Sequence, residues 1–262
     1  MTKIAVLMKQ VPATSTLGLD PVTGNLIRTS DTLINPPDER ALSMALSISG
    51  SEISVFTMGP SQASDLLRTA ACYPVHHLYH LCDSAFAGSD TYATAVILTA
   101  ALRQFGPFDL ILCGNRAVDG ETGQVGPEIS SLLDLPFLPY AVSLSIQGGT
   151  VQACTQNSHE EAVFTCGTPC AVSVSMGAPA LRPPSILGMR RAKNAVIETV
   201  SAERLSFGQK GRDLSPTRVI RTRPMESAGR KRERITDPDE AIRRLTDLLG
   251  KEASHEIGRA HV

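Results

Sequence analysis

Asp109-Leu-Ile-Leu-Cys113-Gly114-Asn-Arg-Ala-Val-Asp119-Gly-Glu-Thr-Gly123-Gln-Val-Gly126-Pro127 joins three local signals in one run. Asp109 to Cys113 is a short apolar segment, typical of a strand buried on both faces of a parallel sheet. A polar, glycine-rich loop follows from Gly114 to Gly123. Ile129, Leu132 and Leu133 then recur at helical spacing. In sheets built from such units, ligands bind beyond the carboxyl ends of the strands. The amides near Thr122, Gly123, Gln124 and Val125 are expected to be unpaired donors at a helix N-terminus. Free N–H groups and the helix dipole together favour a phosphate there, and glycine lets the backbone come close to it. Spacing alone leaves a plain glycine-rich surface loop as the alternative. Neither GxxxxGK[ST] nor GxGxxG is present, which argues against a P-loop NTPase and a Rossmann-type dehydrogenase.

The same alternation extends upstream. Ile4 to Met8 predicts a first strand, followed by a polar loop through Pro12 and Gly24. Asn35-Pro36 predicts a helix start, with Asn35 as N-cap and Pro36 in the first turn. Gly50 is expected to end that helix. Ile53 to Met58 and Leu78 to Cys82 predict further strands, with Ser61 and Ser89 capping the helices after Gly59-Pro60 and before Gly106-Pro107. The fold class is therefore α/β, a Rossmann-like parallel sheet flanked by helices.

Downstream of Pro136 the pattern changes. Val142 to Ile146, Val151 to Thr155 and Ala162 to Val174 predict a small antiparallel β segment, with Gly148-Gly149 as a hairpin turn. Pro179 to Pro184 is proline-rich. Val200 to Arg234 is polar, basic and weakly periodic, as in an extended arm, and a last helix is expected from Asp237-Pro238. The predicted organisation is a nucleotide-binding α/β domain over 1–193, and an arm and helix over 194–255 that dock on another chain. Residues 256–262 read like translated adapter sequence and are expected to be non-native.

Bulk composition narrows the function classes. Of 262 residues, 42% are hydrophobic and 19% charged, ordinary for a globular protein. A net charge of −1 gives no field directed at nucleic acid or anionic membrane. With no Trp and 4% aromatic residues, base-stacking platforms are lacking. The six cysteines (72, 82, 113, 154, 166 and 170) form no CxxC pair. No apolar run approaches the length of a membrane span, and Met1 to Val11 does not read as a signal peptide. Reduced thiols in a cytoplasm are the expectation.

The cluster Cys72, His76, His77, His80 and Cys82 suggests a metal. However, strand alternation divides it between two faces, which does not close a tetrahedron. No Ser/His/Asp triad is evident. Asp119 and Glu121 could act in acid–base chemistry, or could orient amides or a ribose.

Taken together, the motifs resemble the electron transfer flavoprotein beta subunit family. The resemblance is carried by Ile4 to Pro12, Ile34 to Glu39, Phe56 to Pro60, Ala85 to Thr91, Asp109 to Gly114 and Asp119 to Pro127. It implies an electron carrier rather than an enzyme. The carrier pairs with an alpha subunit holding the redox-active FAD, and binds AMP, or a second FAD in bifurcating relatives that split the electrons of NADH. Nucleotide contacts then fall at Leu7, Asn35, Pro36, Pro37, Asp38, Met58, Gly114, Asn115, Arg116, Ala117, Val118, Asp119, Gly120, Glu121, Thr122, Gly123, Gln124 and Val125. Asp38 and the Asp119 motif are more similar to the bifurcating, nitrogen-fixation-associated type. Leu181 to Lys193 matches a loop that anchors on a dehydrogenase, perceived in the family through a leucine and here through Ile186; an acyl-CoA dehydrogenase is the implied partner. An arginine expected between Gln152 and Val172 is missing. A stand-alone adenine-nucleotide-binding regulator is the competing reading.

Overall fold

The computed structural model describes residues 1–13, 18–19, 26–27, 32–156, 161–220 and 234–256. In chain order the elements are β1 (Thr2–Leu7), β2 (Gln10–Pro12), β3 (Gly18–Leu19), β4 (Leu26–Ile27), β5 (Thr32–Ile34), α1 (Pro36–Ser47), β6 (Ser51–Met58), α2 (Ser64–Ala70) and β7 (His77–Leu81). There follow α3 (Thr91–Phe105), β8 (Leu110–Gly114), α4 (Val125–Leu133), β9 (Phe137–Gln147), β10 (Thr150–Gln156), β11 (Glu161–Gly167), β12 (Cys170–Val174), α5 (Ile186–Ala192), β13 (Glu198–Val200), α6 (Gly211–Leu214) and α7 (Pro238–Glu256).

Nine strands form one sheet in the order β11-β10-β9-β12-β8-β1-β6-β7-β13. Every pairing from β9 to β13 is parallel, and only β9-β10 and β10-β11 are antiparallel. The expected α/β architecture is present. Two short antiparallel pairs, β2-β5 and β3-β4, stand apart from the main sheet. Two apolar clusters occupy its opposite faces. Ile4, Val6, Val55 and Leu112 belong to one, with Leu42 of α1; Ala5, Phe56 and Ile111 belong to the other, with Ile97 of α3. The alternation along β1 is the period of two that a strand buried on both sides requires.

Several local expectations are corrected. The run Ala162 to Val174 is two strands, not one. Thr168-Pro169 interrupts it, and Pro169 has no amide to donate to a ladder. β12 is fully buried and parallel, inserted between β8 and β9, so the predicted antiparallel segment is an extension of the main sheet. Asp90, not Ser89, caps α3, accepting from the Ala93 amide at 3.0 Å. Ser61 opens a short 3₁₀ turn over Ser61–Ala63 rather than capping α2 directly. Asn35 holds the N-cap position of α1 but makes no side-chain cap bond.

By its contacts the chain divides into Met1–Thr222 and Arg223–Val262. Part of the sequence grouped with the arm therefore lies on this chain's own sheet. β13 adds to the edge at β7, and Ala202 donates its amide to Asp83 at 2.9 Å. The second unit contains α7, on which Ile242 and Leu245 are exposed. The tail read as non-native lies, beyond the backbone of Glu256, outside the described residues.

Candidate functional site

From β1 the chain builds β6 and β7 on one side, then crosses to β8 on the other. The reversal falls between the carboxyl ends of β1 and β8, where open α/β sheets have the crevice that binds ligands. Leu7 pairs in register with Phe56 and with Cys113. Leu7, Met58 and Gly114 are thus brought to one end of the sheet. Leu7 is buried and Met58 half-buried.

The β8–α4 loop leaves the sheet at this point. The Asn115 amide donates to Val174 O at 2.9 Å, extending the sheet by one bond. Glu121 returns its amide to Ala117 O at 2.7 Å, which makes a compact turn. Glu121 and Gly123 both have positive φ, 52° and 63°. A Cβ on Gly123 would stand 3.1 Å from the Asn115 carbonyl oxygen, so the loop folds tightly on itself there. Among the described residues, the amides of Thr122, Gly123, Gln124 and Val125 have no protein acceptor. They stand at the start of α4, where the sequence placed unpaired donors.

α1 supplies the opposite wall. Pro36 and Pro37 begin the helix, and Asp38 is buried in its first turn. Asp38 Oδ2 accepts from the Lys9 amide at 2.7 Å and Oδ1 from the Gly114 amide at 2.9 Å. Burial nevertheless pushes its carboxyl up to about 7, against these bonds, the Asn35 side chain and the Lys9 charge. Asn35 Nδ2 donates to Arg116 O at 2.9 Å, and its Oδ1 accepts from the Val118 amide at 3.1 Å. Burial and the neighbouring Asp38 raise the Cys113 thiol to about 12, so it is no thiolate nucleophile.

Three contributors escaped the sequence reading of the site. Lys9 Nζ is paired with Asp119 Oδ1 at 2.7 Å. The Thr91 hydroxyl of α3 lies 3.2 Å from both Gln124 Oε1 and Glu128 Oε1. Glu128 Oε2 is buried with no partner, and burial raises that carboxyl above its ordinary range. All three depend on chain crossings that local spacing does not encode. The histidine cluster addresses separate partners. His76 Nδ1 accepts from the Ile53 amide, His77 Nε2 meets Glu52, and His80 Nε2 faces the carbonyls of Gly59 and Pro60. Among the described residues no group of three or more His, Cys, Asp or Glu converges.

The model of the electron transfer flavoprotein domain matches residues 23–205. The chain belongs to the electron transfer flavoprotein family. It is similar to the electron transfer flavoprotein subunit beta of Thermoanaerobacterium thermosaccharolyticum, with 37% identity over 84% of this chain and 86% of that one. It is also similar to the caffeyl-CoA reductase-Etf complex subunit CarD of Acetobacterium woodii, with 34% identity over 84% of this chain and 87% of the relative. Protein FixA of Rhizobium meliloti shares 34% identity over 94% of this chain and 89% of its own. An electron-transfer subunit of the flavoprotein beta type is therefore the coarse function. No helix among the described residues is long and apolar enough to cross a membrane.

Within the segment Leu181 to Lys193, Ile186–Ala192 forms α5. Ser185 caps it by accepting from the Gly188 amide at 3.0 Å. Ile186 and Leu187 are 74% and 76% exposed, so the exposed aliphatic feature is a pair, not the single Ile186. Gly188 packs against the Cys72 carbonyl, and Arg191 donates to that same oxygen at 3.3 Å, seating α5 on the end of α2.

Proposed function

We propose that this chain is the beta half of a cytoplasmic two-subunit carrier, and that its crevice holds the adenosine-phosphate end of AMP or of a second FAD. The run of unpartnered amides from Thr122 to Val125 carries this reading. Four free donors at a helix N-terminus suit a phosphate's oxygens. Asn115, Ala117, Val118 and Gly120 shape the loop backbone, and Leu7, Pro37 and Met58 offer apolar wall for the adenosine. Lys9 offsets the Asp119 charge, which would otherwise repel an anion. A bound flavin supplies the electron-transfer chemistry, and the protein's part is to position it and tune its surroundings.

The partner is an alpha subunit holding the redox-active FAD, with α7 as a docking helix. Its exposed Ile242 and Leu245 support that role. Electrons arrive from a dehydrogenase that docks on Ile186 and Leu187. The Acetobacterium relative is named as a subunit of a caffeyl-CoA reductase complex, which favours an acyl-CoA type. Asp38 and the Asp119 motif, which are similar to the bifurcating type, favour that branch, with FAD in the crevice.

Co-expression with an alpha-type subunit tests this, followed by an absorption spectrum and chromatography of the released nucleotides. One flavin plus AMP identifies a simple carrier, and two FAD per heterodimer the bifurcating type. A colourless monomer that binds adenine nucleotide would overturn the carrier and favour a stand-alone regulator.

A further inference from the structure

We infer that Asn35 and Asp38 are positioning residues, which hold the β8–α4 loop in its nucleotide-receiving shape through their side-chain bonds to backbone. The inference rests on the proposed role of the crevice, but its geometry is independent of that role. Asn35 and Asp38 are 1% and 6% exposed. Both Asp38 oxygens are engaged, one by the Lys9 amide after β1 and the other by the Gly114 amide at the end of β8. Asn35 engages the same loop two steps further on, at Arg116 O and the Val118 amide.

The local sequence is built around these bonds. A Cβ at Gly114 would overlap Asp38 Oδ1, and would lie 2.7 Å from Pro37 Cβ. Glycine is therefore needed for the carboxylate to reach the strand end. The Pro36-Pro37 start of α1 fixes the backbone that aims both side chains. Each of the two side chains spends its bonds on backbone groups of the loop and of the segment after β1. What it supplies is preorganisation: the Thr122–Val125 amides keep their alignment without being ordered at each binding event.

The test uses the full chain with the subunit it co-purifies with, and AMP and FAD as probes. Asp38→Asn, Asp38→Ala and Asn35→Ala are compared with wild type by site-resolved amide exchange and by nucleotide affinity. Exchange at Lys9 and Gly114 should quicken from wild type to Asn to Ala, because Asn retains one acceptor. Exchange at Val118 should quicken in Asn35→Ala. The β6 amides should stay at the wild-type rate, which a general loss of stability would not allow. Affinity for the nucleotide that wild type binds should fall about tenfold, the scale of one well-placed hydrogen bond. Unchanged exchange at these three amides would overturn the inference, and so would loosened loops with undiminished affinity. If Asp38→Ala fails to fold, Asp38→Asn and Asn35→Ala decide the matter. If wild type binds neither probe, the proposed function fails, while the exchange pattern still decides whether the two side chains hold the loop.

Discussion

Lys9 and Asp119, separated by 110 positions in sequence, meet as an ion pair at 2.7 Å. The pair joins the segment after β1 to the loop after β8 across the mouth of the crevice. It is partly exposed, and such pairs contribute ~0.2–1 kcal/mol. Lys9→Met should therefore change unfolding free energy by less than about 1 kcal/mol. It should weaken nucleotide binding considerably more, since Asp119 would then face the phosphate without its counter-charge. Denaturant titration beside calorimetric binding separates the two effects. Equal losses in both would contradict this division of roles.

Asp38 gives a pH signature. Its folded carboxyl sits at about 7, above the ordinary 3.8, because burial outweighs its hydrogen bonds. A raised acid binds more protons in the folded state than in the unfolded one. Its contribution is complete below 3.8 and is lost as pH rises through about 7. The steepest slope is ~1.4 kcal/mol per pH unit. Asp38→Asn should remove that slope, so that wild-type and variant stability curves converge in acid and diverge towards neutrality. Parallel curves between pH 4 and 7 (roughly the window in which a raised carboxyl titrates) would show that Asp38 titrates normally.

The parallel sheet was legible in the sequence because Ile4 to Met8, Ile53 to Met58 and Asp109 to Cys113 are short apolar runs punctuated by Gly and Pro. The donor loop was legible because Gly123 and the apolar spacing of α4 mark a strand-to-helix turn. Residues 170–174 were misassigned for a physical reason. A run buried on both faces has no alternation to show parallel from antiparallel pairing, and β12 returns to the sheet interior after β11 has formed its edge. Asn35 has the composition of an N-cap, yet its side chain serves a loop 81 positions away. Tertiary demand overrode the local rule, and nothing nearby in the sequence reports it.

Glycines of the loop should fail in different ways. Gly114→Ala pushes a methyl into Asp38 and Pro37, so it should lower stability by ~1–3 kcal/mol through overpacking. Gly123→Val asks a β-branched residue to adopt a φ of +63° beside the Asn115 carbonyl. It should remove bound nucleotide with a smaller loss of stability. Thermal unfolding paired with nucleotide quantification would distinguish them. Full nucleotide content in Gly123→Val would exclude the loop as the phosphate site.

Asp90 ties two distant segments together. Besides capping α3, it accepts from the Thr217 amide at 3.0 Å and the Thr217 hydroxyl at 2.7 Å, while its own amide donates to Ser215. Burial raises its carboxyl, but the bonds from Ala93 and Thr217 outweigh that and hold it below its usual range. Asp90→Ala should cost about 1–2 kcal/mol, the loss of a good cap, and should expose the chain around 211–217 to limited proteolysis. A depressed acid stabilises fully above its ordinary pKa and loses that contribution as pH falls through its folded one, so acid should loosen the same segment in wild type. Protease resistance equal to wild type would mean that the segment is held from elsewhere.

Ile186 and Leu187 test the docking face. Both project from the first turn of α5, whose seat on α2 is made by Gly188 and Arg191 and not by either aliphatic side chain. Ile186→Ser with Leu187→Ser should therefore leave folding stability within ~0.5 kcal/mol of wild type, as for surface changes away from packing. A buried aliphatic anchor can dominate an interface far beyond its share of area, so truncating the pair should weaken dehydrogenase docking by ~2 kcal/mol or more. Because the substitutions leave the crevice untouched, flavin and AMP content should stay at the wild-type level. The expected pattern is a raised half-saturating concentration of dehydrogenase with normal cofactor loading. Unaltered electron transfer at limiting dehydrogenase would move the docking face away from α5.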